Sequence, residues 1–175
     1  ILFAGDGEES IHIALRPDAP QLIDADDPET SLFLKAESLP DYPFPARHLI
    51  DIHSYQYQID GRKSTSIIGQ LGCPYPCNFC GARLSPSFRR ARLRPADNLL
   101  AEIRDIHDNF GFSGLNFLDD ELNVNKNLVG DMIAFTEMQE KMGVEFRCRG
   151  FIKSNLFNEQ QAKAMYQAGF RNILI

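Results

Sequence analysis

Three of the four cysteines fall within eight residues, Cys73-Pro74-Tyr75-Pro76-Cys77-Asn78-Phe79-Cys80. Thiolates are soft ligands, and a C-x3-C-x2-C spacing on one short loop lets three of them converge on a single inorganic centre. Pro74 and Pro76 stiffen that loop by fixing φ. Such a cluster, in a chain with one other cysteine, reads as a metal or redox site and not as a disulfide framework. Three is the informative number. A cubane iron–sulfur cluster takes one thiolate per iron, so three thiolates leave one iron open to another ligand. Structural zinc would need a fourth ligand from Cys148, His48 or His53. A four-cysteine electron-transfer cluster would need Cys148, whose run Glu145-Phe146-Arg147-Cys148-Arg149 also suits a small buried hydrophobe in a strand. A redox pair of Cys77 and Cys80 would leave Cys73 without a role.

The elements that must position this loop alternate between strand and helix. Residues 64–71 form a β-branched, apolar run that leads into Gly72 and the cysteines, as a buried strand would. Pro95 opens a helix carrying Leu99, Leu100, Ile103, Ile106 and Phe110, which Gly111 ends. Residues 114–118 read as the next strand and finish in the acidic step Asp119-Asp120-Glu121. Asn125 is placed to cap a helix with Leu128, Met132, Phe135, Met138 and Met142 on its apolar face and Gly143 as terminator. Residues 144–150 read as a third strand. Asn158, with Gln161 three positions on, begins a helix that Gly169 stops before a fourth strand.

The order β-α-β-α-β-α-β predicts right-handed βαβ units on a parallel sheet, with ligands at the carboxyl ends of the strands. Before it, residues 1–9 look like a strand, a Gly turn and a helix start running through Ile11, Ile13 and Leu15. Residues 16–60 are rich in Pro and Asp and carry no sustained periodicity, which reads as a linker. Ile1 in place of a Met, and an end at Ile175 inside an apolar run, read as a piece of a longer protein.

Composition bounds the function. The 175 residues carry 18 Lys+Arg against 24 Asp+Glu, a formal charge of −6, which argues against a nucleic-acid partner. No apolar run approaches the roughly 20 residues of a membrane span. A cytoplasmic protein is the expectation. Arg83, Arg89, Arg90, Arg92 and Arg94 are the one basic cluster, read either as a solvated loop or as a docking point for an anionic substrate or an acidic electron donor.

Gly72-Cys73-Pro-Tyr-Pro-Cys77-Asn-Phe79-Cys80-Gly81 resembles the signature of the radical S-adenosylmethionine (SAM) superfamily, with its aromatic residue just before the last cysteine. The arginine-rich loop, the helix from Asn98 and Phe117-Leu-Asp119-Asp120-Glu121-Leu-Asn123 extend the likeness. They resemble the branch with an N-terminal cobalamin (B12)-binding domain. Leu39-Pro-Asp-Tyr-Pro-Phe-Pro-Ala-Arg47-His-Leu-Ile50 is similar to that branch's linker.

The resemblance implies a fold class: an α/β chain whose residues 51–175 are the N-terminal half of a radical SAM (β/α) barrel, about four parallel strands with three helices. Residues 1–50 would be the tail of a B12-binding-type α/β domain plus linker. It also implies that Cys73, Cys77 and Cys80 hold a [4Fe–4S] cluster whose open iron takes SAM. Reductive cleavage of SAM would then give a 5′-deoxyadenosyl radical that abstracts hydrogen from a small-molecule or peptide substrate. Phe79 would lie by the adenine, with core packing as its alternative role. Asp119 and Asp120 would receive the SAM ammonium, or else cap a helix. Arg149, with Arg147 as alternate, would face the SAM carboxylate. A flavodoxin- or ferredoxin-like protein would supply electrons. The cobalt-ligating Asp-x-His-x-x-Gly pattern is absent from Asp51-Ile-His53-Ser-Tyr-Gln56 and from Asp105-Ile-His107, so cobalamin-dependent methyl transfer would rest on residues upstream of Ile1.

Overall fold

Residues 1–25 build one strand–helix–strand unit: β1 (Leu2–Gly5), α1 (Ser10–Ala14) and β2 (Leu22–Ala25). The strands pair in parallel, Leu2 opposite Leu22 and Gly5 opposite Ala25. This is the α/β character the first residues suggest. The second strand lies in the Pro- and Asp-rich stretch, within residues 1–50 expected to hold the tail of an α/β domain plus a linker. Short 3-10 turns then carry the chain to β3 (Gln58–Ile59) and β4 (Arg62–Ile67).

The remaining elements are β5 (Gln70–Leu71), β6 (Arg92–Leu93), α2 (Ala96–Phe110), β7 (Gly114–Phe117), α3 (Leu128–Met142), β8 (Arg147–Phe151), α4 (Glu159–Gln167) and β9 (Phe170–Leu174). In the computed structural model, which describes all of residues 1–175, these elements fall into two compact units. One comprises Ile1–Asp41 and Leu71–Arg92; the other comprises Tyr42–Gln70 and Leu93–Ile175. The cysteine loop belongs with the N-terminal strands, because its limb from Ser85 to Arg92 bonds to Asp26, Asp6 and Leu34.

The larger unit holds a five-stranded sheet in the order β3-β4-β7-β8-β9. The last four strands are parallel, and an antiparallel β3 borders them. Helices α2, α3 and α4 connect those four strands, so the expected four strands and three helices are present. Ile67, Leu115, Phe117 and Cys148 point into the helical layer, where Ile103, Ile106, Met132, Phe135 and Met165 bury them almost completely.

Punctuation follows the sequence in most places. Pro95 sits at the N-cap of α2, and Gly111, at φ 72°, ends it. Asn158 accepts the Gln161 N–H at 3.0 Å and starts α4. Two starts differ. The N-cap of α3 is Asn127, not Asn125, whose Oδ1 instead accepts the Asn127 N–H at 2.8 Å and shapes the preceding turn. The third strand begins at Arg147, not at residue 144. Residues 144–146 close off α3: the Val144 N–H bonds to the Gln139 carbonyl, and the Phe146 N–H to Gln139 Oε1.

Candidate functional site

The cysteine loop begins at a glycine that nothing else could replace. Gly72 has φ 82°, and a Cβ there would stand 2.5 Å from the Arg90 carbonyl oxygen and 2.6 Å from that of Phe88. The close approach lets the Cys73 N–H donate to the Phe88 carbonyl at 2.8 Å, which closes the loop at its base. None of the four cysteines is in a disulfide. Cys73 is buried at the base, whereas Cys77 and Cys80 are half-buried. Arg83 donates to the Cys80 carbonyl at 3.0 Å, and Arg89 to the Cys73 carbonyl at 3.5 Å.

No three His, Cys, Asp or Glu side chains stand close enough together to hold a single metal ion. A cubane binds each thiolate through a different iron, so its ligands stand farther apart than those of a mononuclear site. The donor set, three thiols outside any disulfide on one closed loop, fits a cluster of that kind. Two of the three alternates for a fourth ligand are otherwise engaged. Cys148 is fully buried in β8, where burial pushes its thiol far above the ordinary range, and His53 stacks on Phe112 at 5.4 Å.

Phe79 is 92 % exposed, which excludes core packing and leaves its ring on the loop surface beside Cys80. The arginines do not form one basic patch. Arg92 is buried against Asp6 and the Leu34 carbonyl, and it covers the Phe33 ring. Arg94 belongs to the other unit, where it pairs with Glu102 at 2.5 Å. Arg90 remains in solvent, 4.0 Å from Glu29.

In the larger unit the face opposite the helices lines a cavity of about 750 Å³. Register makes its floor: Ser66, Asn116 and Arg149 lie side by side across β4, β7 and β8. Ile68, Leu118 and Phe151, near the carboxyl ends, are apolar and partly exposed, and Tyr57 stands on the wall. The Tyr57 hydroxyl accepts from Arg149 at 2.7 Å, which holds the guanidinium over the floor. Arg147 instead turns to Glu145 at 3.1 Å, so of the two β8 arginines it is Arg149 that lines the cavity, together with Arg47 and Arg94. Asn116 Oδ1 is buried there without a hydrogen-bond partner. Sequence reasoning missed Asn116 and Tyr57. A polar Asn in the middle of an otherwise apolar strand was the available signal.

The acidic step splits into two roles. Asp119, 2 % exposed, accepts the Gly69 N–H at 3.0 Å and so ties the end of β7 to the turn after β4. Burial pushes its carboxyl up to about 7 despite those backbone bonds. Asp120 is exposed. Within the cavity lining, Glu102 bridges Arg47 at 2.6 Å and Arg94, which also donates to the Ile68 carbonyl at 2.8 Å.

A parallel βαβ sheet with polar groups on its open face defines a partial (β/α) barrel. The profile of the radical SAM superfamily matches residues 67–175, and the chain belongs to that superfamily. It is 27 % identical over 137 residues to an uncharacterized methyltransferase, PH0819, of Pyrococcus horikoshii, covering 78 % of this chain and 28 % of that protein. Among solved structures it is similar to the radical SAM methyltransferase TsrM of Kitasatospora setae, at a TM-score of 0.55 in two states. One state holds tryptophan and a SAM analogue (19 % identity, 63 % of this chain, 21 % of that one). The other holds cobalamin and a [4Fe–4S] cluster (18 %, 64 % and 20 %). The chain thus spans under a third of these relatives. No helix is long and apolar enough to cross a membrane.

Proposed function

We propose that this chain forms the cluster-binding and SAM-binding half of the core of a radical SAM enzyme that transfers a methyl group. The observation that carries this reading is the closed loop bearing three thiols outside any disulfide, in a chain of that superfamily. Cys73, Cys77 and Cys80 would hold the [4Fe–4S] cluster. When bound, the reduced cluster supplies the electron that cleaves the sulfonium bond of SAM.

The residues themselves bind and orient. Arg149, fixed by Tyr57, presents a guanidinium able to take a carboxylate in two hydrogen bonds. Asp120 offers a charge of the right sign for the SAM ammonium, while Asp119 holds the turn beneath it. Phe79 offers an exposed ring for the adenine face. Ile68, Leu118 and Phe151 line the cavity with apolar surface that keeps water from a reactive intermediate. The methyl-transfer part rests on PH0819 and TsrM, and cobalamin would be held outside this chain, since neither Asp-x-His stretch completes the cobalt-ligating pattern.

The test is anaerobic reconstitution of the full-length protein with iron and sulfide, followed by electron paramagnetic resonance with and without SAM. A cubane signal that shifts on SAM addition is expected. Cys77→Ala should lose the signal and most of the iron while keeping its far-UV circular dichroism. Full iron and SAM cleavage in that variant, or stoichiometric zinc in the wild type, would refute the assignment.

A further inference from the structure

We propose that Asp26 is a positioning residue for the cysteine loop: its Oδ1 fixes the loop's returning limb and thereby the surroundings in which Cys73, Cys77 and Cys80 hold their cluster. This rests on the cluster reading above. Asp26 immediately follows β2, so a paired strand carries it. Its Oδ1 accepts the Ser85 and Ser87 hydroxyls, each at 2.5 Å, and the Ser87 N–H at 3.2 Å. Ser85 Oγ accepts in turn the Phe88 N–H at 3.1 Å, and the Phe88 carbonyl accepts the Cys73 N–H at 2.8 Å. An unbroken chain of hydrogen bonds therefore runs from Asp26 to the first cysteine.

The serines stand some sixty residues from Asp26 in sequence and five to seven beyond Cys80, and no role for them follows from the cysteine spacing. Hydrogen bonds that involve a charged group are the stronger kind. Three on one oxygen tie the limb to the end of β2. Cluster potential and signal depend on solvent exposure and on hydrogen bonds near the sulfurs, so a loosened limb would register there. Because all three donors use Oδ1, an asparagine in the same rotamer keeps every bond and an alanine keeps none.

The experiment compares Asp26→Ala, Asp26→Asn and the double variant Ser85→Ala/Ser87→Ala in the full-length protein. Two readouts are used: hydrogen exchange of the iron-free protein over residues 72–91, and the paramagnetic signal of the reconstituted cluster with SAM. Asp26→Ala and the serine double variant should each exchange at least about tenfold faster in that segment and show a shifted or broadened signal. Asp26→Asn, which keeps the acceptor but not the charge, should fall between wild type and Asp26→Ala. The proposal fails if both alanine forms match wild type. It fails equally if Asp26→Asn is as damaged as Asp26→Ala, or if the serine variant is unaffected. Should Asp26→Ala not fold, the serine variant decides. If the wild type builds no cubane, the cluster reading itself falls and this one with it; a normal wild-type cluster with unchanged variants overturns only the role of Asp26.

Discussion

Asp119 is pulled two ways: backbone N–H groups favour its charged form, and loss of water opposes that form more strongly. Its folded-state pKa, about 7, lies above the ordinary 3.8, so charge on this carboxyl costs stability above neutrality, and the cost is relieved as pH falls toward the acid range. The melting temperature of wild type minus that of Asp119→Asn should therefore rise between about pH 8 and about pH 5; a flat difference would contradict the burial argument. Thiol chemistry should separate the cysteines as cleanly. In the iron-free, folded protein, Cys77 and Cys80 should react with an alkylating reagent, whereas Cys148 stays unmodified until denaturant is added, as peptide mass spectrometry would show. Arg149→Ala should weaken SAM binding at least tenfold and Arg147→Ala by less than about twofold, measured by calorimetry on the reconstituted protein. The sequence named both arginines, since parity alone puts them on one side. Only the neighbours, Tyr57 for one and Glu145 for the other, separate them.

At the scale of elements, the cysteine loop depends on a turn with no room for a side chain. Gly72→Ala must place a Cβ against two backbone carbonyls and hold a left-handed φ that alone costs about 1–2 kcal/mol. Iron uptake should fall severalfold while the unfolding temperature of the sheet changes little. The four parallel strands and three helices were legible in sequence because Pro95, Gly111, Gly143 and Asn158 mark their ends and the apolar positions repeat at helical spacing. Two features were not. The strand Leu22–Ala25 is four residues long between Pro20 and Pro28, too short for a period to show. The ties from Asp6 and Asp26 to the cysteine loop are long-range side-chain bonds, which no local pattern records. The apparent basic cluster divides on folding, since Arg92 and Arg94 take buried carboxylate partners while Arg90 stays in solvent.

For the molecule as a whole, the two compact units interleave along the chain, and neither is a continuous stretch. Residues 1–41 supply partners to Arg92, Ser85 and Ser87, so a protein beginning at residue 42 should load less iron than the 175-residue chain under identical reconstitution, although its sheet-and-helix unit persists by circular dichroism. Equal loading would show those ties to be dispensable. The interleaving also imposes an order on biosynthesis. Ser64 finds its parallel neighbour Gly114 only after fifty further residues have been made, and the first βαβ strands wait for Arg92 before Asp6 is neutralised. A ribosome paused between these points would display the cysteine-bearing segment while its scaffold is half made, the interval in which a chaperone or an iron–sulfur delivery protein would have access to unshielded thiols.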